Sequence, residues 1–261
     1  MSRDRFGQFE TRNTRPPSAI VALIESRYRR YSERGGHDVA RQRFPLRIRH
    51  FSSHAIIVHE GSPVSHVAFL SKGTVALSIL GQSGNRRVFM LLSAEADQDA
   101  IIDPASLECA NHSLTCEALT DVDVYVVDRP AFSALAETDA TLSYAMSRML
   151  SAFSGRLVAE FHSQLVLPAR ERLAGVLLQL AALHGRTQNQ RTRITLPLSR
   201  QDLASIVGVS KETLIRMLQA LKNDGLIDLI GLEIDIVSRA KLQTLADRTR
   251  LRLNLPMMSS A

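Results

Sequence analysis

The sequence predicts an α+β protein, on three observations. Short apolar runs separated by turn residues fill Arg47 to Val127, an unbroken helical stretch extends from about Asp139 to Leu167, and two short capped helices flank a glycine between Leu198 and Leu229. In that order they predict a β-roll or sandwich, a long helix, and a separate helical domain with its own small sheet.

Residues 1–45 form an Arg-rich extension interrupted by Pro16, Pro17, Gly35 and Gly36. Its apolar patch, Ile20 to Ile24, follows Ser18 and supports about three turns of helix. The arginines there are able to touch phosphates, but the composition reads first as a solvated arm. Residues 46–138 carry the runs HAIIVH, VAFLSKGTVALSIL, RRVFMLL and LTCEALTDVDVYVV, punctuated by Gly61, Gly73, Gly81 and Gly84. GQSGN, between two such runs, reads as a hairpin loop in which glycine supplies the positive φ.

Residues 139–167 contain no proline, and Met146, Leu150, Phe153, Leu157, Phe161 and Leu165 recur every three or four positions. A helix of that length spans about 43 Å, longer than the cover of one sheet requires. The stripe is therefore expected to be a seam between two copies of the helix, making the protein a homodimer. Pro168 ends this helix and opens the next, which places a hinge at the start of a domain spanning 168–250. ARERLAGVLLQLAALHG is its first helix, RITLPLS is a short strand with a turn, and residues 251–261 are a frayed tail.

The chemistry of the chain is concentrated in LSRQDLASIVGVSKETLIRMLQALKNDGLIDL. Ser199 is a helix N-cap, Asp202 adds negative charge to the first turn, and Leu203, Ile206 and Val207 repeat at helical spacing. Gly208 breaks that helix and Ser210 caps the next, whose apolar stripe is Leu214, Met217, Leu218 and Leu221. Asn223, Asp224 and Gly225 close it, and LIDLIGLEIDIV gives two short strands around Gly231, a wing. This is a helix-turn-helix with a wing. Lys211, Glu212, Ile215 and Arg216 lie opposite the stripe, in the half of a second helix able to meet base edges in a major groove. Arginine pairs with O6 and N7 of guanine, glutamate accepts from the amino group of cytosine, and lysine serves guanine or phosphate.

Composition agrees but discriminates less. With 261 residues and 45% hydrophobic content the chain is able to bury one good core and two smaller ones, and a formal charge of +6 favours a polyanionic partner. No run of about 18 apolar residues is present, and the N-terminus lacks the apolar core of a signal peptide, so no membrane span is predicted and a cytoplasmic location is expected. There is no nucleophile motif, no glycine-rich phosphate loop and no metal-ligand pair on a helix face, so the chain is not expected to be an enzyme.

A β-roll, a long helix, a hinge and a C-terminal winged helix-turn-helix resemble the CRP/FNR superfamily of bacterial transcription regulators over roughly residues 46–245. The resemblance is carried by SRQDLASIVGVSKETLIRMLQALKNDGLI, by HEGSPVSHVAFLSKGTVAL with Gly61 and Gly73 at the family's turn glycines, and by HSLTCEALTDVDVYVVDRPAF. It implies a cyclic-nucleotide-binding-like jelly roll as sensor, a homodimer reading two half-sites of double-stranded DNA, and RNA polymerase as a further partner. It also implies that Glu212 and Arg216 contact C·G and G·C pairs. Lys211 falls where the cyclic-AMP-responsive branch has an arginine, and Ile215 where the family has serine or glycine. Ser199 and Arg200 begin the positioning helix, where phosphate is commonly held; Ser210 and Thr213 begin the recognition helix.

The sensor half departs from the family. The cyclic-nucleotide branch uses a Gly-Glu step and an Arg-Ser step around the phosphate, whereas the corresponding ADQDAIIDPASLECANHSLTCEA contains neither glycine nor arginine. Burying a cyclic phosphate there without charge compensation costs several kcal/mol at least, roughly speaking. The FNR type of oxygen sensor needs N-terminal cysteines, and the only two cysteines are Cys109 and Cys116. These read first as small structural residues and, as the alternative, as a redox pair or a metal site with His112. A haem or a small apolar effector in the roll, with a histidine such as His50, His54, His59 or His112 as ligand, is the other sensing route, with no cofactor as the simpler expectation. The rival to a DNA-binding regulator is a haem- or thiol-sensing protein whose C-terminal domain docks on a protein.

Overall fold

The computed structural model describes residues 19–33, 46–81, 86–94, 100–188, 191–195 and 198–247. Between Arg47 and Asp128 two antiparallel sheets face each other. One is ordered β1 (Arg47–Phe51), β7 (Val122–Asp128), β3 (His66–Lys72); the other β2 (Ile56–Val58), β6 (Thr115–Ala118), β4 (Thr74–Leu80), β5 (Arg86–Ser93). Side chains alternate between the two faces of a strand, and the first sheet is covered on both. Ala68, Leu70, Val124 and Val126 enter the roll interior with Leu77, Leu92, Ile102 and Cys116. Val67, Phe69, Tyr125 and Val127 point outward into a second apolar cluster. That double cover is why VAFL and VYVV are continuous apolar runs. The hairpin expected at GQSGN joins β4 to β5, which pair from Thr74 with Ser93 to Leu80 with Arg86; residues 82–85 themselves lie outside the described residues.

The outward face is covered by α1 (Ala19–Glu33), α2 (Arg129–Thr138) and α3 (Ala140–Val166). The solvated arm expected for the N-terminal residues is corrected here for α1. Ile20, Val21 and Ile24 are buried against Phe69, Tyr125 and Leu142, and the Arg27 guanidinium lies 2.7 Å from the Asp139 carboxylate. Helix α1 packs on the roll because its one apolar face meets the sheet.

Asp139 N-caps α3 by accepting from the Leu142 amide at 2.9 Å, and Leu167, before Pro168, is its C-cap. The 27 residues of α3 span about 40 Å. Four of the six residues expected in the seam are engaged within the protomer. Met146 and Phe153 are buried within the protomer, and Leu150 and Leu157 pack against the same two clusters. Phe161 and Leu165, beyond the edge of the roll, are 54% and 83% exposed. The helix offers outward a different line, Tyr144, Ser147, Ser151, Ser154, Val158, Phe161 and Leu165, all exposed and spaced alternately by three and four. The line has heptad spacing, with Ser147, Ser151 and Ser154 in its first half.

Pro168 stands as the N-cap of α4 (Ala169–His184). There follow β8 (Gly185–Gln188), β9 (Arg191–Ile194), α5 (Arg200–Val207), α6 (Lys211–Asn223), β10 (Ile227–Ile230), β11 (Glu233–Ile236) and α7 (Arg239–Ala246), with the strands ordered β10-β11-β9-β8. β8 is polar and largely exposed, so no apolar periodicity announced it. The short α7, also unannounced, buries Leu242 and Ala246 against the α4 side of the domain core.

The helical domain sits on the outer face and edge of the second sheet. Ala76, Val88, Leu91 and Leu119 share a cluster with Leu177, Leu203 and Leu214. At the free edge of β5 the Ser205 hydroxyl accepts from the Val88 amide at 3.1 Å and donates to the Arg86 carbonyl at 2.9 Å, which caps an edge that would otherwise be open to pairing. Arg172 Nε donates to the Val207 carbonyl at 2.9 Å and its Nη1 to the Leu167 carbonyl at 2.6 Å, tying the hinge to α5.

Gly73, in the tight β3–β4 turn, has φ +84°, and a Cβ there would lie 2.4 Å from the Asp121 carbonyl oxygen. Gly73→Ala is expected to destabilise the roll by about 2 kcal/mol or more through both strain and contact, read as a lower midpoint in urea unfolding.

Candidate nucleic-acid interface

The geometry of the α5–α6 unit follows from its caps. The Ser199 hydroxyl accepts from the Asp202 amide at 3.0 Å, and the Asp202 carboxylate takes the Ser199 amide at 3.2 Å, a reciprocal capping box that starts α5. Gly208, at φ +75°, takes the left-handed conformation that ends it. The Ser210 hydroxyl accepts from the Thr213 amide at 3.2 Å and starts α6. Leu214, Leu218 and Leu221 then face the core, with Met217 partly buried beside them.

That burial turns the other side of α6 to solvent. Lys211, Glu212, Ile215, Arg216 and Gln219 are all exposed. Hydrogen bonds from its own amide and from the Ser210 hydroxyl hold the Glu212 carboxyl below the usual carboxylate range, keeping it an ionised acceptor at neutral pH. The Arg216 guanidinium lies 3.3 Å from the Thr213 hydroxyl, which accepts from it and so orients it along the helix. Ser210 and Thr213, both candidate DNA contacts from sequence, are thus engaged in the cap. Ser199 is engaged in the same way at α5.

Arg200 crosses to the wing and donates to the Gly231 carbonyl at 3.0 Å, and partial burial lowers its pKa. It fixes the wing turn against the start of α5. The wing sheet is clamped by Arg193, which donates to both Asp235 oxygens at 2.7 and 3.0 Å and lies 3.2 Å from Glu233. Gln219 was not anticipated as part of the outward face; its position four residues after Ile215 was the available signal.

The sensing candidates do not assemble. Cys116 projects from β6 into the roll interior, where burial pushes its thiol up and leaves it unreactive, while Cys109 is exposed. Among the described residues no three His, Cys, Asp or Glu side chains gather as metal ligands, Cys109, Cys116 and His112 included. His112 Nδ1 lies 2.9 Å from Asp103, His50 Nδ1 2.6 Å from Asp123 and His54 Nδ1 3.4 Å from Glu117, and His59 is exposed. Three of the four candidate haem ligands are therefore held by carboxylates, around an interior already packed with Leu70, Leu77, Leu92 and Ile102.

Asp103 is the most elaborated polar group of the roll. Only 2% exposed, it caps the turn Pro104–Leu107 by accepting from the Ala105 amide at 3.2 Å. It also accepts from the Ser113 hydroxyl at 2.9 Å and the Ser113 amide at 3.2 Å, with His112 completing the set.

Residues 171–245 match the model of the Crp-like helix-turn-helix domain, and residues 48–139 that of the cyclic nucleotide-binding domain. Electron transport regulator A of Shewanella oneidensis is 24% identical over 200 residues, covering 75% of this chain and 76% of the relative. Transcriptional activator protein FnrL of Cereibacter sphaeroides is 27% identical over 190 residues, 70% and 73% of the two chains. Among solved structures, FixK2 from Bradyrhizobium japonicum superposes with a TM-score of 0.65 at 21% identity, covering 78% of this chain and 98% of that one. No helix among the described residues is long and apolar enough to cross a membrane. With both domains matched in this order and with regulators as relatives, the chain belongs to the CRP/FNR superfamily of DNA-binding transcription regulators.

Proposed function

We propose that the chain acts in the cytoplasm as a homodimer that reads a palindromic DNA site through α6 of each protomer and passes a signal to RNA polymerase. One observation carries this reading: the solvent face of α6 offers Lys211, Glu212, Ile215 and Arg216 together, while its opposite face is locked into the core. Glu212 serves as acceptor for a cytosine amino group and Arg216 as bidentate donor to guanine. Ser199 and Arg200 set the start of α5 against the phosphate backbone. Two protomers join along Tyr144, Ser147, Ser151, Ser154, Val158, Phe161 and Leu165, the serines allowing close approach and the apolar end supplying burial.

In this reading the roll does not take cyclic AMP. The start of the turn after Asp103, where an anion would be received, is filled by the protein's own carboxylate with its donors satisfied, and a second buried anion beside it would be repelled. Saturating cyclic AMP is expected to leave the thermal unfolding midpoint unmoved; a rise of several degrees would contradict this.

The function is tested by selecting bound duplexes from a random library. Enrichment of an inverted repeat with half-sites about one helical turn apart is expected, together with an affinity that falls steeply with salt as counterions are released. Absence of any enriched sequence, with shallow salt dependence, would favour docking of the C-terminal domain on a protein instead.

A further inference from the structure

Ile215 is the one large apolar side chain exposed on α6, at 48%. It takes no part in the core, which is filled from this helix by Leu214, Leu218 and Leu221. It lies one turn from Lys211 and Glu212, beside Arg216, and one turn before Gln219, so the polar groups of the face surround it. A single isoleucine on an ordinary surface needs no explanation; one at the centre of a base-reading face is covered whenever that face is used.

We propose that Ile215 recognises the C5-methyl group of thymine, and so fixes a T·A pair beside the pairs read by Glu212 and Arg216. The proposal rests on the DNA-reading function above. A helix that brings residues 212 and 216 to base edges carries residue 215 into the groove with them. The apolar group that a base pair presents in the major groove is the thymine methyl. Placed against N7, O6 or an amino group instead, the side chain would strip water from a donor or acceptor and return no hydrogen bond. Branching at Cβ restricts its χ1 rotamers within a helix, so little freedom is lost when the contact forms.

The test uses the strongest duplex from the library selection, with each thymine of the half-site replaced singly by deoxyuridine. Uracil keeps the hydrogen-bonding edges and lacks only the methyl. For the unmodified protein one position is expected to lose about 4-fold in affinity per half-site, or about 15-fold when both are replaced. Ile215→Val keeps that dependence. Ile215→Ser keeps the fold, as read by circular dichroism, but no longer distinguishes uracil from thymine at that position. Sequence-specific binding that ignores uracil everywhere, or an Ile215→Ser chain with undiminished methyl dependence, overturns the proposal. A protein that selects no sequence at all fails at the earlier step, the DNA-reading function itself.

Discussion

A chain carrying Phe161→Asp and Leu165→Asp is expected to be a folded monomer with little specific affinity for DNA. Both side chains stand beyond the roll and face solvent, at 54% and 83% exposure, so the protomer does not depend on them. In a two-fold seam each is buried twice. Full burial of such a side chain contributes about 1.5–3 kcal/mol, and aspartates opposite one another add repulsion and desolvation. The dimer dissociation constant should rise on the order of 10³-fold or more. Sedimentation of the protein across a concentration series reads it directly, and circular dichroism checks the fold. Phe153→Asp, eight residues away, is the contrasting control, because Phe153 belongs to the interior of the roll. It should unfold the sensor domain rather than merely separate the protomers.

Arg216→Ala is expected to lose about 1–3 kcal/mol of discrimination for each half-site, with preference relaxed at one base pair and binding to random DNA little changed. The side chain is exposed and its hydrogen bond goes to Thr213, one turn back on the same helix, so its removal leaves the fold intact. Thr213→Val, which keeps the volume and removes the acceptor, should weaken the same discrimination in smaller measure by freeing the guanidinium. Competition titrations against specific and random duplexes separate the two kinds of loss. An equal loss on both would reassign Arg216 to a phosphate.

The helical caps were legible in the sequence because they are local. Ser199 and Ser210 each satisfy an amide three residues ahead, and Gly208 supplies a left-handed turn that other residues rarely adopt; the cap at Asp139, of the same kind, was not anticipated. Most strands of the roll were legible as apolar runs, but β1, RIRHF, carries too few apolar residues to form one. What escaped was whatever depends on a distant partner. The patch from Ile20 to Ile24 looks like an isolated helix until Phe69 and Tyr125 are placed beneath it. A count of apolar residues along α3 follows Met146, Leu150, Phe153 and Leu157 into the protomer's own core. It passes over Ser147, Ser151 and Ser154, small polar residues whose spacing alone marks the outer face.

The candidate interface shows the same division. Lys211, Glu212, Ile215 and Arg216 were read correctly as lying opposite the buried stripe, since helix geometry alone separates the faces. That Ser199, Ser210 and Thr213 are occupied by caps, and that Arg200 reaches the wing at Gly231, required coordinates. The four-way satisfaction of Asp103 joins residues nine and ten apart through a turn. No periodicity in the chain announces it.

The claim that two copies of α6 read two half-sites at once is tested most directly by spacing. Affinity is measured for a series of duplexes in which the selected half-sites are moved apart one base pair at a time. The account predicts that binding falls toward the random-DNA level when about half a helical turn, roughly 5 base pairs, is inserted, because the second half-site then faces away from its protomer. Affinity independent of spacing would contradict it.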